Sequence, residues 1–64
     1  MADFTKYYGL TLSVDVSIEE IKEATGRTIA RLALPDANLT MDLNRDRVTI
    51  FVDYDYVITE IQLG

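Results

Sequence analysis

Few side chains in this sequence are of the types that carry out catalysis. Its 64 residues include no His and no Cys, and there is no phosphate-binding glycine loop and no carboxylate pair with a visible reason for shifted pKa values. Asp53 and Asp55 have the spacing of calcium ligands, but the glycine and the glutamate that a calcium loop needs do not follow. We therefore expect no enzyme, no metal site and no cofactor.

A long connection holds the other notable pattern. Residues 35–46 lie between two predicted strands, and connections of this length in a small domain are typical of functional loops. Apolar and polar residues alternate at its centre, in the order Leu39, Thr40, Met41, Asp42, Leu43, Asn44. The pattern alone leaves two interpretations open, an exposed functional loop and a strand edge in which Met41 fills a gap in the core.

The element that precedes this connection is a predicted helix. Ser17 has the hydroxyl of a helix cap, and Glu20, three residues later, completes a capping box. Apolar or small side chains then share one face, at Ile18, Ile21 and Thr25. Gly26 suits the left-handed position that ends a helix.

Alternating side chains predict the strands. They are most regular at Val48, Ile50 and Val52, with Phe51 on the opposite face. Further strands are predicted at residues 28–34, before Pro35, and at 57–63, with residues 53–56 as the turn. Residues 10–16 also alternate and are predicted to be extended with one buried face. The sequence thus predicts a single α+β domain over residues 1–64, one helix packed on a small mixed β-sheet with a long exposed loop.

Charge and hydropathy exclude some partners. The formal net charge is −5, whereas nucleic-acid-binding domains usually carry a basic surface. No apolar run approaches the roughly 20 residues that span a membrane, and the first residues lack the pattern of a signal peptide. We expect a monomer that is cytoplasmic if the chain is complete, or secreted if a signal peptide has been removed.

Several short motifs resemble the potato inhibitor I family of serine protease inhibitors. They are Thr40-Met41-Asp42, Asp46-Arg47-Val48, Phe51-Val52-Asp53 and the closing Gly64. A further set, Gly26, Arg31, Pro35 and the Thr-Met-Asp stretch, is similar to short bacterial and fungal relatives of that family. The resemblance covers residues 17–64 and is most specific over residues 40–53.

The resemblance implies an inhibitor of subtilisin-like, chymotrypsin-like or elastase-like proteases, bound as a substrate would be through an extended reactive-site loop. By position, Met41 fills the primary specificity pocket, Asp42 follows the scissile bond, and the loop runs over Leu39, Thr40, Met41, Asp42, Leu43 and Asn44. Arg47 and Arg45 are implied to support it, Arg47 through bonds to Asp42 and Thr40. The implied partner is a serine protease.

The sequence departs from the family at several positions. Thr49 stands where the family has a second supporting arginine, and Asn44 replaces an arginine that Arg45 follows one place later. The approach from Pro35 to Thr40 is one residue shorter, and the tryptophan of the plant members is absent. Arg47 is also open to a simpler interpretation, a surface ion pair with an aspartate that contributes little. The alternative function is a small non-enzymatic module that binds a protein through a sheet edge.

Overall fold

The computed structural model describes residues 4–39 and 44–64, which form one α-helix and one three-stranded sheet. The elements in chain order are a short 3-10 helix at Thr5–Tyr7, α1 at Ile18–Thr25, β1 at Ile29–Ala33, β2 at Arg47–Val52 and β3 at Ile58–Leu63. This is the predicted α+β arrangement. No helix within the two described ranges has the length and apolar character needed to cross a membrane.

Both ends of α1 are fixed by the residues that the sequence indicated. The Glu20 backbone N–H donates a hydrogen bond to Oγ of Ser17, 3.1 Å away. At the other end Gly26 takes the left-handed conformation, with φ of 71°, which an L side chain adopts only at a cost. Its N–H donates to the last turn of the helix. The predicted helix and its cap are confirmed.

The sheet is mixed, with β2 in the middle. β1 pairs with β2 in parallel, and β2 pairs with β3 in antiparallel fashion. The β1–β2 register sets Ile29 opposite Arg47, Arg31 opposite Thr49 and Ala33 opposite Phe51. The second pairing is a hairpin that turns at residues 53–56. There Oδ1 of Asp53 accepts backbone N–H groups from Asp55 and Val57 at 2.9 and 3.0 Å.

One face of the sheet carries the hydrophobic core. Ile21 of α1 and Val48 and Ile50 of β2 have no exposed surface. The remaining buried members of the core cluster are Tyr7, Leu12, Val16, Val52, Ile58 and Ile61. Because side chains alternate along a strand, the odd-numbered residues of β2 lie on the opposite face of the sheet.

The extended segment predicted over residues 10–16 is wrong. The chain reverses here, since the N–H groups of Val14 and Asp15 both donate to the carbonyl of Thr11, at 3.2 and 2.8 Å. The Asp15 carboxylate accepts the N–H of Thr11 in return, and Ser13 has a positive φ of 70°. Val14 at the tip is 79% exposed. The alternation arises because the two legs of the turn each bury one residue.

The segment after the 3-10 helix covers the outer edge of β3. The N–H of Gly9 donates to the Ile58 carbonyl at 2.8 Å, and the N–H of Ile58 donates to the Leu10 carbonyl at 2.9 Å. Farther along β3, the N–H of Ile61 donates to the hydroxyl of Tyr8 at 3.3 Å. The other edge of the sheet is formed by β1.

Candidate functional site

The connection between β1 and β2 is the unusual feature of the fold. Neighbouring parallel strands require a crossover that returns to the start of the sheet, and this is usually a helix. Residues 34–46 make the crossover here, and their described parts, 34–39 and 44–46, contain no helix or strand. The return path along β1 is about 13 Å, whereas a chain of this length can span about 45 Å when extended. The connection is therefore much longer than the return path requires.

A turn fixes the departing end of this connection. The N–H of Ala37 donates to the Leu34 carbonyl at 2.9 Å, and Pro35 stands at the second position of the turn, where its fixed φ is favourable. Leu34 packs against the core. Residues 35–38 are exposed and Leu39 is half-buried. The connection thus leaves the core at Leu34 and enters solvent at once.

Backbone hydrogen bonds to the segment after α1 fix the returning end. The carbonyl of Asp46 accepts N–H groups from Thr28 and Ile29, at 3.0 and 2.9 Å. Beside it, Nη1 of Arg27 donates to the carbonyl of Arg45. These three bonds join the end of the connection to the chain that leads into β1.

Asn44 shapes the last residues of the connection. Its Oδ1 accepts the N–H of Asp46 at 2.9 Å, and its carbonyl accepts the N–H of Arg47 at 3.4 Å. This is a local turn in which an asparagine side chain replaces a backbone acceptor. The side chain of Asn44 therefore stabilises the turn that leads into β2.

The sheet face opposite the core is also buried, but only in part. Ala33, Arg47 and Thr49 are 1%, 7% and 2% exposed, and none of them belongs to the core cluster. Glu60 and Gln62 of β3 lie on the same face by register and are exposed. Burial on this face is therefore confined to β1 and β2, the two strands that the crossover joins. We call this region the second face.

Arg47 and Thr49 are the polar residues of β2 on the second face. The interpretation that places Arg47 on the surface is wrong, because the residue is buried. Thr49 Oγ1 donates to the carbonyl of Gly64 at 2.8 Å, and the N–H of Gly64 donates to the carbonyl of Arg47, also at 2.8 Å. Gly64 is thus held against the start of β2.

The structure describes some of the predicted site residues and not others. Leu39 and Asn44 are half-buried, Arg45 is exposed and Arg47 is buried. Thr40, Met41, Asp42 and Leu43 lie outside the described residues. Sequence reasoning did not identify the bond from Arg27 to Arg45. It also did not find that Arg31 shares a face with Arg47, because that follows from the β1–β2 register.

Comparisons with known proteins assign no family to this chain. No protein-family model matches the sequence, and no curated protein matches it. The resemblance to the potato inhibitor I family therefore rests on the motifs alone.

Proposed function

We propose that this protein is a serine protease inhibitor that binds its target through the connection between β1 and β2. The observation that carries the proposal is the anchoring of this irregular crossover at both ends, by the turn at Leu34 and by the Asp46 bonds to Thr28 and Ile29. A surplus of chain held at both ends suits a loop that enters a protease cleft. The scissile bond is assigned to Met41–Asp42, as the motif resemblance implies.

Such a loop inhibits because cleavage does not release the products. The protease serine attacks the carbonyl of Met41, and the oxyanion hole stabilises the tetrahedral intermediate. The new amine of Asp42 stays close, because the chain after it leads into β2 and the chain before it leads from β1. These strands pair along their length, so the amine re-forms the bond. A loop that is ordered before binding also loses less entropy when it binds.

Arg47 is proposed to hold the loop from below. It is buried at the first position of β2, directly after the connection. A buried guanidinium requires hydrogen-bond acceptors, and charge-assisted bonds to a carboxylate are the strongest that it can make. We assign the Asp42 carboxylate and the Thr40 side chain as its acceptors.

A protease panel tests the proposal. Purified protein is assayed against subtilisin, chymotrypsin, elastase and trypsin, and the mixture with the most strongly inhibited enzyme is then analysed by mass spectrometry after long incubation. We expect one slow nick between Met41 and Asp42, with both fragments still associated through the β1–β2 pairing. Rapid cleavage at many positions with no loss of protease activity would refute the inhibitor function.

The edge position of β1 supports a second candidate, a module that binds an extended peptide by strand addition. Ile29 and Leu32 of β1 are 46% and 37% exposed, while the outer edge of β3 is already covered. A module of this kind leaves residues 40–43 uncut and inhibits no protease. The same panel therefore separates the two functions.

A further inference from the structure

Two turns lie side by side at the end of the sheet where β2 leads into β3. One spans residues 11–15, and the other spans residues 53–56, where the N–H of Tyr56 donates to the carbonyl of Asp53 at 3.0 Å. The N–H of Leu12 donates to the carbonyl of Tyr56 at 2.8 Å. Because this bond joins the two turns, they form one surface, which we call the turn pair.

The turn pair exposes large apolar side chains. Val14, Tyr54 and Tyr56 are 79%, 66% and 47% exposed. They are the three most exposed large apolar side chains in residues 4–39 and 44–64. Exposed apolar side chains that are grouped in this way mark an interaction site more often than scattered ones do. Tyrosine is also enriched in protein interfaces, because it combines an apolar ring with a hydroxyl group.

Both turns contain a residue with an unfavourable backbone conformation. Ser13 has a φ of 70° and Tyr56 a φ of 62°, a region that bulky L side chains rarely adopt and that glycine adopts freely. The Tyr56 side chain is largely exposed, so the fold gains little from burying its ring. A tyrosine that destabilises its own turn and remains in solvent is better explained by a contact with another molecule.

The charges near the turn pair indicate what this molecule carries. The two stretches that form the turn pair, residues 7–21 and 48–64, contain no Lys or Arg. Their acidic residues are Asp15, Glu19, Glu20, Asp53, Asp55 and Glu60. A cation is attracted both by carboxylates and by the face of an aromatic ring. Arginine suits such a surface best, because its planar guanidinium stacks on a ring and also pairs with a carboxylate.

We propose that the turn pair is a second binding surface, which docks an arginine-bearing segment of another protein. Arginine side chains of that segment stack on Tyr54 and Tyr56 and pair with the Asp55 carboxylate, while Val14 contacts an apolar side chain beside them. A second copy of this chain is the poorer occupant, because two molecules of net charge −5 repel each other. The inference goes beyond protease inhibition and does not depend on it, since none of these residues belongs to the connection between β1 and β2.

An NMR titration of the ¹⁵N-labelled protein tests the proposal. The probe is a blocked decapeptide of alternating arginine and alanine, and peptides with lysine or glutamate in place of arginine are the comparisons. The variants are Tyr54→Ala, Asp55→Asn and Tyr56→Gly. Glu23→Gln is the matched control, since it removes one negative charge from an exposed position of α1, outside the turn pair.

We expect the arginine peptide to shift the amides of residues 11–15 and 53–56 to saturation, and the lysine peptide to bind more weakly. Tyr54→Ala should weaken binding by about 2-fold to 5-fold, the range for one exposed cation–π contact. Asp55→Asn should weaken it at low ionic strength only, and Glu23→Gln should leave it unchanged. Tyr56→Gly should weaken binding and raise the midpoint of thermal unfolding, because glycine tolerates the positive φ.

Several results would overturn the proposal. Equal binding of the glutamate peptide, or equal shifts along the acidic face of α1, would show that the turn pair is not a specific site. Wild-type affinity in both Tyr54→Ala and Tyr56→Gly would show that the rings make no contact. Shifts of the turn pair on concentrating the protein without peptide would make a second copy the occupant. The protease panel is a separate measurement, so a failure of the inhibitor function leaves this result unaffected.

Discussion

Thr49 and Gly64 are joined by a hydrogen bond of 2.8 Å from the threonine hydroxyl to the glycine carbonyl, in a part of the second face where Thr49 is only 2% exposed. Thr49→Val keeps the shape and removes the donor. We expect it to lower the free energy of unfolding by about 1 kcal/mol, measured by chemical denaturation. The control is Thr59→Val, whose hydroxyl bonds to the Phe51 carbonyl at an exposed site. Equal effects of the two substitutions would contradict the assignment.

Inserting an arginine at position 49, where the motif resemblance aligns a supporting arginine of the potato inhibitor I family, should not improve the protein. Thr49 is enclosed, and Arg31 is already opposite it. Thr49→Arg therefore overpacks the second face, and we expect a loss of about 1–3 kcal/mol of stability with no tighter inhibition. Denaturation curves and inhibition constants check this. Tighter inhibition by the variant would show that the face has room for a third guanidinium.

Specificity should follow residue 41. Methionine is long, unbranched and uncharged, so the wild type should inhibit subtilisin-like, chymotrypsin-like or elastase-like enzymes and have little effect on trypsin. Met41→Lys should shift preference toward trypsin, whose specificity pocket ends in a carboxylate. Inhibition constants against both enzyme classes measure the shift. Strong trypsin inhibition by the wild type would place the scissile bond elsewhere.

Removing the hydrogen bond from Arg27 to the Arg45 carbonyl should change the rate of cleavage in the connection more than the stability of the fold. Arg27→Ala releases one anchor at the returning end of the connection. We expect faster cleavage after Met41 and a stability loss of about 1 kcal/mol or less, since the bond is exposed. Arg27→Lys keeps the charge and serves as the matched comparison. Unchanged cleavage in both variants would show that this anchor is dispensable.

Removing the helix cap should lower stability without changing inhibition. Ser17→Ala removes the acceptor for the N–H of Glu20 and should cost about 1 kcal/mol of stability. Because α1 packs on the core face, inhibition at matched folded fraction should not change. Thermal denaturation and a single inhibition assay are sufficient. Weaker inhibition by the folded variant would mean that α1 and the loop are coupled.

Local chemistry explains which elements could be predicted. Ser17 and Gly26 act on their own neighbours in the chain, and β2 is buried on both faces, so its apolar run stands out. The two-residue period of residues 10–16 predicts an extended segment, but a turn that buries Leu12 and Val16 produces the same period. The turn differs from an extended segment in the positive φ of Ser13 and in the hydrogen bond from Thr11 to Asp15. The spacing of apolar residues indicates neither of these features.

The second face could not be predicted because it depends on a register between distant strands. That Arg31 is opposite Thr49, and not opposite Arg47, is set by how β1 and β2 align. A shift of one residue would turn Arg31 to the core face. The motif resemblance singles out Arg47, whereas no pattern in the sequence shows that Arg31 lies on the same face of the sheet.

The cover over β3 has a consequence for self-association. Growth of a fibre by strand addition needs two accessible edges on every molecule, one to accept and one to offer. Here Gly9, Leu10 and Tyr8 occupy the outer side of β3, so a copy that pairs through β1 presents no matching edge to the next. Edge-to-edge association of this fold ends at two molecules, and polymerisation would first require the segment before α1 to detach.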